Sequence, residues 1–180
     1  MLLLHSFKVV FSPADRHKTG SLPKIEARQV TKQLRPLFYS VITHTVTQPT
    51  NPFFKFPAPK ILKKEGYNTS FFHGAFNGSQ NFDQYAEVAG FDQYYGKDQY
   101  TGKDAFDGKW GVFDEEFLQF YASKLTTFKQ PFFSSLFTIS SHNPYTIPEK
   151  YKGKFPKGTT EIQESIAYTD FALRRFFNTA

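Results

Sequence analysis

The stretch PFFSSLFTI, residues 131–139, most limits what this chain can become. Its apolar residues come in runs with little alternation. A strand written that way expects cover on both faces, which helices on either side of a parallel sheet provide. The text around it agrees. KILKKEGYN reads as the end of a helix, with Gly66 as its stop. YNTSFFHG reads as a short strand from Tyr67 to Phe72, ending in His73 and Gly74. FDQYAEVA reads as a helix with Asn81 as its cap and Gly90 as its stop. FDQYY reads as another short strand, and GKDQYTGKDAFDGKWG as a loop. DEEFLQFYASKLTTF opens on acids and carries Lys124 and Lys129 near its end, the arrangement a helix dipole favours. Glu161 to Phe177 reads as a last helix, with Ile162, Ile166, Phe171, Leu173 and Phe176 available to a core face. Helix and strand alternate, so the expected fold is an α/β layer with parallel strands.

Before Pro57 the pattern is poorer. SFKVVFS reads as a short strand. Residues 27–47 mix helix formers with a β-branched run broken by Pro36, and QPTNPFFKFPAP reads as a connector. Charge changes at the same place. Residues 1–58 hold eight Lys or Arg against two acids, whereas residues 59–180 hold 14 of each. Basicity of this kind invites a nucleic-acid reading. No recognisable binding module surrounds it, and no nucleic acid is expected as a partner. Cysteine is absent, which excludes a disulfide framework, a thiolate metal site and a cysteine nucleophile. The run from Met1 to Leu4 meets His5 and Lys8 too early for a signal peptide or a membrane span. The 23 Phe and 10 Tyr are large rings, each burying enough apolar area that a few can close a core.

Ligands of open α/β sheets bind beyond the carboxyl ends of the strands. Two strands place a histidine there, His73 after YNTSFF and His142 after FTISS. Neutral imidazole accepts a proton or binds a metal, and imidazolium pairs with a phosphate or sulfate oxygen. A histidine at a strand end also serves simply by bonding a loop carbonyl. Ser140 and Ser141 lie beside His142 without a G-x-S-x-G elbow, so they are expected to satisfy turn amides. Asp114, Glu115 and Glu116 read as the charged start of a helix, with Trp110 packed beneath it. No H-E-x-x-H, P-loop or G-x-G-x-x-G pattern is present.

From Lys60 onward, over about two thirds of its length, the chain resembles the lipoteichoic-acid-synthase-like sulfatase family of the alkaline phosphatase superfamily. The blocks that carry the resemblance are ILKKEGYNTSFFHGAFNGSQNFD, GFDQYYGKDQY, FDGKWGVFDEEF, PFFSSLFTISSHNPYTIPEKYKG and SIAYTDFALRRFF. Their order and spacing are specific, where any one block alone is weak. The resemblance implies a sulfatase-like sheet between helices. It also implies cleavage of phospho- or sulfo-esters at the bacterial envelope, with a threonine nucleophile and a divalent metal, commonly manganese. The synthases transfer phosphoglycerol from a phospholipid head group. Carried over, His73 in FFHG and His142 in SSHNPY become substrate-binding residues, touching phosphate or glycerol rather than metal.

The family pattern is also broken here. An acid two residues after the first histidine is replaced by Ala75. A tryptophan and an arginine a few residues later fall at Gln80 and Phe82, which removes a bidentate phosphate contact. Phosphoglycerol transfer is therefore in doubt, and a different phospho- or sulfo-ester is expected. The family's metal-binding acid, threonine and Asp-His pair find no matching block. No catalytic residue and no metal ligand is assigned, and no tightly bound metal is expected. The expectation is a partial α/β sulfatase-like sheet flanked by helices, truncated at both ends. Residues 59–180 form the domain fragment, and the basic segment 1–58 is read as a shifted frame or misplaced start. The fragment is expected to be inactive, with a membrane-anchored parent. The alternatives are a non-catalytic module that binds an anionic head group, and a nucleic-acid binder acting through residues 1–58.

Overall fold

In the computed structural model the described residues are 57–103 and 105–180, together with the backbone of residues 7–12. Among them, four strands form one sheet: β1 (Phe7–Ser12), β2 (Asn68–His73), β3 (Gln93–Tyr95) and β4 (Phe132–Phe137), in the order β1-β4-β2-β3. Four α-helices accompany them: α1 (Ala58–Lys64), α2 (Phe82–Ala89), α3 (Asp114–Leu125) and α4 (Ile162–Thr179). The readings of residues 27–47, and of the connector as far as residue 56, lie outside the described residues.

β2 runs parallel to both β3 and β4, as the alternation of elements requires. β1 departs from the expected parallel sheet, since it pairs antiparallel with β4, Phe7 opposite Phe137 and Ser12 opposite Phe132. Strand direction follows from βα alternation only between β2 and β4. β1 sits at the edge of the sheet, where an antiparallel strand is common on an otherwise parallel one.

Side chains alternate across the sheet with period two. Phe71 and Phe137 face α2, packing with Phe82, Tyr85, Ala86 and Ala89. Phe72 and Leu136 face the other way, against Phe117, Leu118 and Tyr121 of α3 and Ala172 and Phe176 of α4. Both faces of β4 are thus covered, which is why its sequence lacks alternation. Ser70 and Ser134 meet on the α3 side, their hydroxyls 2.7 Å apart and hydrogen-bonded to each other. Burial of such polar groups is tolerated because each supplies the other's partner.

The helix ends follow the glycine signals. Gly66 and Gly90 adopt φ of 83° and 86°, the left-handed region that glycine enters without penalty. Asn81 also adopts a left-handed φ, 58°, and its side chain does not cap α2 as its type suggests. In α4 the buried face is Ser165, Tyr168, Thr169, Ala172 and Phe176. Of the apolar residues expected there only Phe176 is fully buried, while Ile162, Ile166, Phe171 and Leu173 are half-buried. Small residues let α4 approach α3 closely, and the Tyr168 and Thr169 hydroxyls reach polar groups on it, while Ser165 bonds the Ile162 carbonyl of its own helix.

The route of the chain puts at one end of the sheet the switch point where open α/β folds place a ligand crevice. From β2 the chain crosses α2 to β3, and from β3 it crosses α3 on the opposite face to reach β4 on the far side of β2. Chain leaving β2 turns toward α2, and chain leaving β4 leads to α4 on the other face. The two adjacent strands therefore part at their carboxyl ends, and that parting is where open α/β sheets bind ligands.

Candidate substrate-facing site

Two chain segments leave this crevice, Gly74-Ala75 after His73 ends β2 and Thr138 to Tyr145 after β4. A third, the turn of residues 107–111, sits against both. Its geometry originates in Asp107, whose Oδ1 accepts the amide hydrogens of Lys109 (2.9 Å), Trp110 (2.7 Å) and Gly111 (3.0 Å). An aspartate that binds its own following amides closes a tight turn. The Asp107 amide donates to the Gly111 carbonyl at 2.8 Å, which closes the other side.

The turn is seated on the end of β2. Gly111 bridges Ala75, and the Val112 amide donates to the Gly74 carbonyl at 2.9 Å. A Cβ at Gly111 would lie 2.2 Å from the Gly74 oxygen and 2.7 Å from the Ala75 Cα, so only glycine allows this approach.

His73 is 4% exposed. Its ring packs against Phe82, 4.3 Å between centroids, and against Phe137 at 5.2 Å. Nδ1 lies 3.3 Å from the Phe137 carbonyl oxygen across the β2–β4 pair. That oxygen only accepts, so Nδ1 carries the proton. Burial lowers the imidazole pKa to about 4, against an opposing pull from the Phe137 carbonyl. His73 is therefore neutral near pH 7. Phe82 presents a ring, not a charge, to the imidazole.

His142 is exposed. Its amide donates to the Ile139 carbonyl at 2.9 Å and its carbonyl accepts from the Tyr145 amide at 2.7 Å, so the backbone is held on both sides. Its ring meets Trp110 edge to face, 4.4 Å between centroids. Trp110 Nε1 donates to the Asn143 carbonyl at 2.6 Å, and His142 Nδ1 lies 3.0 Å from the same oxygen. The expectation that Trp110 packs beneath the helix start is corrected here. The Asp107 turn carries the indole sideways onto the loop after β4. The sequence signal for this is present in D-G-K-W-G, an aspartate two to four residues before the amides it binds.

The polar turn after β4 is latched by Asp114, the first residue of α3. Its Oδ1 accepts from the Ile139 amide (2.8 Å) and the Ser140 amide (3.1 Å), and its Oδ2 from the Thr169 hydroxyl (2.7 Å). The Asp114 amide donates to Ser140 Oγ at 3.0 Å, so this serine does satisfy a backbone amide. Burial pushes the Asp114 carboxyl up, and its hydrogen bonds pull it down. Glu115 is equally enclosed. Its carboxylate accepts from the Tyr151 hydroxyl at 2.6 Å and pairs with Arg175 and Lys150, and its amide donates to the Tyr168 hydroxyl at 3.1 Å. Lys150 also binds Glu116 at 2.6 Å. These contacts tie the loop between β4 and α4 to both helices.

The acids beside the crevice are thus committed to structure. Among the described residues no group of three His, Asp or Glu side chains could hold a metal ion. The described donor set does not fit the divalent metal that the resemblance implies, and no step through a metal is assigned to these residues. Nor is any described helix long and apolar enough to cross a membrane.

With this geometry in place, three comparisons bear on the chain. The Sulfatase family model matches residues 23–180. Lipoteichoic acid synthase 1 of Bacillus subtilis is 32% identical over 139 residues, 73% of this chain and 21% of that protein. Among solved structures, a protein of the alkaline phosphatase superfamily from Vibrio parahaemolyticus aligns at a TM-score of 0.56 and 35% identity, over 66% of this chain and 30% of that one. The lipoteichoic acid synthase LtaP from Listeria monocytogenes aligns at a TM-score of 0.56 and 25% identity, over 67% and 31%. The chain spans about a fifth of the length of the curated relatives it matches.

Proposed function

Because this chain belongs to the sulfatase family, we propose that its described part is the substrate-facing side of a phospho- or sulfo-ester enzyme of the bacterial envelope. One observation carries the reading. At the parting of β2 and β4, an exposed histidine, His142, is held by Trp110 and by the latched turn after β4. Such rigid holding of an exposed polar ring is what ligand recognition needs.

The two histidines then have different tasks. His142 meets the head group. His73, enclosed by Phe82 and Phe137, is a neutral wall of the crevice that bonds the Phe137 carbonyl. Ala75, Gln80 and Phe82 stand where the resemblance places an acid, a tryptophan and an arginine, so phosphoglycerol transfer is not assigned, while a phosphate head group still meets His142. A divalent cation, in this reading, is held by residues outside the described set. The 180-residue chain by itself binds an anionic head group without turning it over.

The chain's one tryptophan makes this testable, because Trp110 touches His142. Glycerol 3-phosphate is expected to change Trp110 fluorescence saturably, and His142→Ala is expected to abolish the change. A response that survives His142→Ala, or none at millimolar ligand, refutes the site. Release of nitrophenol from bis(4-nitrophenyl) phosphate by the chain with manganese would refute the absence of turnover.

A further inference from the structure

We propose that Trp110 is a positioning residue that locks His142 in the Nδ1–H tautomer, leaving Nε2 as the acceptor available to a ligand. The proposal rests on the reading of His142 as the ligand-facing residue.

One oxygen joins the two rings. The Asn143 carbonyl has two lone pairs and no hydrogen to give. The Trp110 indole N–H occupies one at 2.6 Å. His142 Nδ1 lies 3.0 Å from the same atom. A ring nitrogen with a bare lone pair would repel that oxygen, so Nδ1 carries the hydrogen. In a neutral imidazole the other nitrogen then has none. The imidazole's two nitrogens are thereby told apart by a main-chain atom that Trp110 pins.

The ring is held as well as the oxygen. The indole and imidazole planes cross at 64° with centroids 4.4 Å apart, an edge-to-face contact that opposes rotation about the His142 side-chain bonds. Two separately built turns bring these groups together. Asp107 fixes Trp110 through three amides, and Asp114 fixes the chain entering His142 through two. An indole recruited only for burial would need neither the half-exposed position nor the hydrogen bond to Asn143.

The tautomer is directly measurable. In the full chain labelled with 15N-histidine, the His142 signal is identified by its loss in His142→Gln. With the ring neutral, Nδ1 is expected at a protonated-nitrogen shift and Nε2 at an unprotonated one. The free side chain prefers the opposite tautomer, so the lock is distinctive. Trp110→Phe keeps a ring and removes the N–H. Its His142 signals are expected to move toward the average of two exchanging tautomers, with the rest of the spectrum unchanged. An Nε2–H form in the native chain overturns the proposal without any variant, and so does an unchanged tautomer in Trp110→Phe. If that variant fails to fold, the single indole N–H of the native chain decides. Its hydrogen exchange is expected to be slowed well below that of a free indole, and a free-indole rate overturns the proposal. Glycerol 3-phosphate added to the same sample separates the two readings. A locked tautomer whose Nε2 signal ignores the ligand sinks the functional reading and leaves the positioning role standing.

Discussion

Acidification should destabilise this protein through His73 before most carboxylates are protonated. The imidazole has its ordinary pKa near 6.5 in the unfolded chain and about 4 in the folded one. Burial between Phe82 and Phe137 is the cause. A depressed folded pKa means the unfolded chain binds the proton more tightly. The contribution is therefore fully present above pH 6.5, declines as pH falls, and is exhausted below about pH 4. A gap of about 2.5 units at ~1.4 kcal/mol per unit gives about 3.5 kcal/mol. That is a large part of the roughly 5–15 kcal/mol that ordinarily holds a domain folded. Urea unfolding at intervals between pH 7 and pH 4 would read it as a slope approaching ~1.4 kcal/mol per pH unit. Other groups titrate over part of this range, so the difference between the native chain and His73→Phe isolates the effect. The phenylalanine keeps the ring packing and has no proton to bind. Equal slopes in the two proteins would refute the claim that His73 is buried and neutral.

The same contacts set the outcome of other substitutions. Gly111→Ala should cost about 2–4 kcal/mol in urea unfolding, since its Cβ meets backbone on β2 that cannot move aside. Asp114→Ala should cost about 3–5 kcal/mol, because two amides and the Thr169 hydroxyl lose their acceptor inside the fold. Lys150→Ala should cost less than about 1 kcal/mol, because its ion pairs are half in water and Arg175 still faces Glu115. His142→Ala should leave stability within about 0.5 kcal/mol while removing the Trp110 response to glycerol 3-phosphate, since the ring is exposed.

Much of this architecture is legible in the sequence because it rests on local rules. The unalternating run 131–139 requires cover on both faces, and β4 has it. Gly66 and Gly90 end helices because a left-handed residue ends a helix and glycine enters that region freely. His73 ends β2 and His142 follows β4, and these parallel strands prove to be neighbours. The family that the ordered blocks resemble is the one the relatives share. Where linear text misleads, the cause is a partner distant in the chain. α4 buries Tyr168 and Thr169 ahead of its more apolar residues because their hydroxyls answer polar groups on α3. Trp110 reads as a neighbour of the helix start because nothing in a linear text tells where a turn throws a side chain.

The sequence by itself determined the layers, the helix stops and the two strand ends near which the histidines fall. It could do so because hydrophobic period, glycine conformation and strand length are properties of adjacent residues. Only the tertiary structure decided what each imidazole is. His73 and His142 read alike as residues after apolar strands. Folding places Phe82 and Phe137 around one and denies it a charge, and it places Trp110 and a shared carbonyl beside the other and leaves it open. Solvation and hydrogen-bond partners come from residues tens of positions apart, and they, more than the side chain itself, set what a histidine can do.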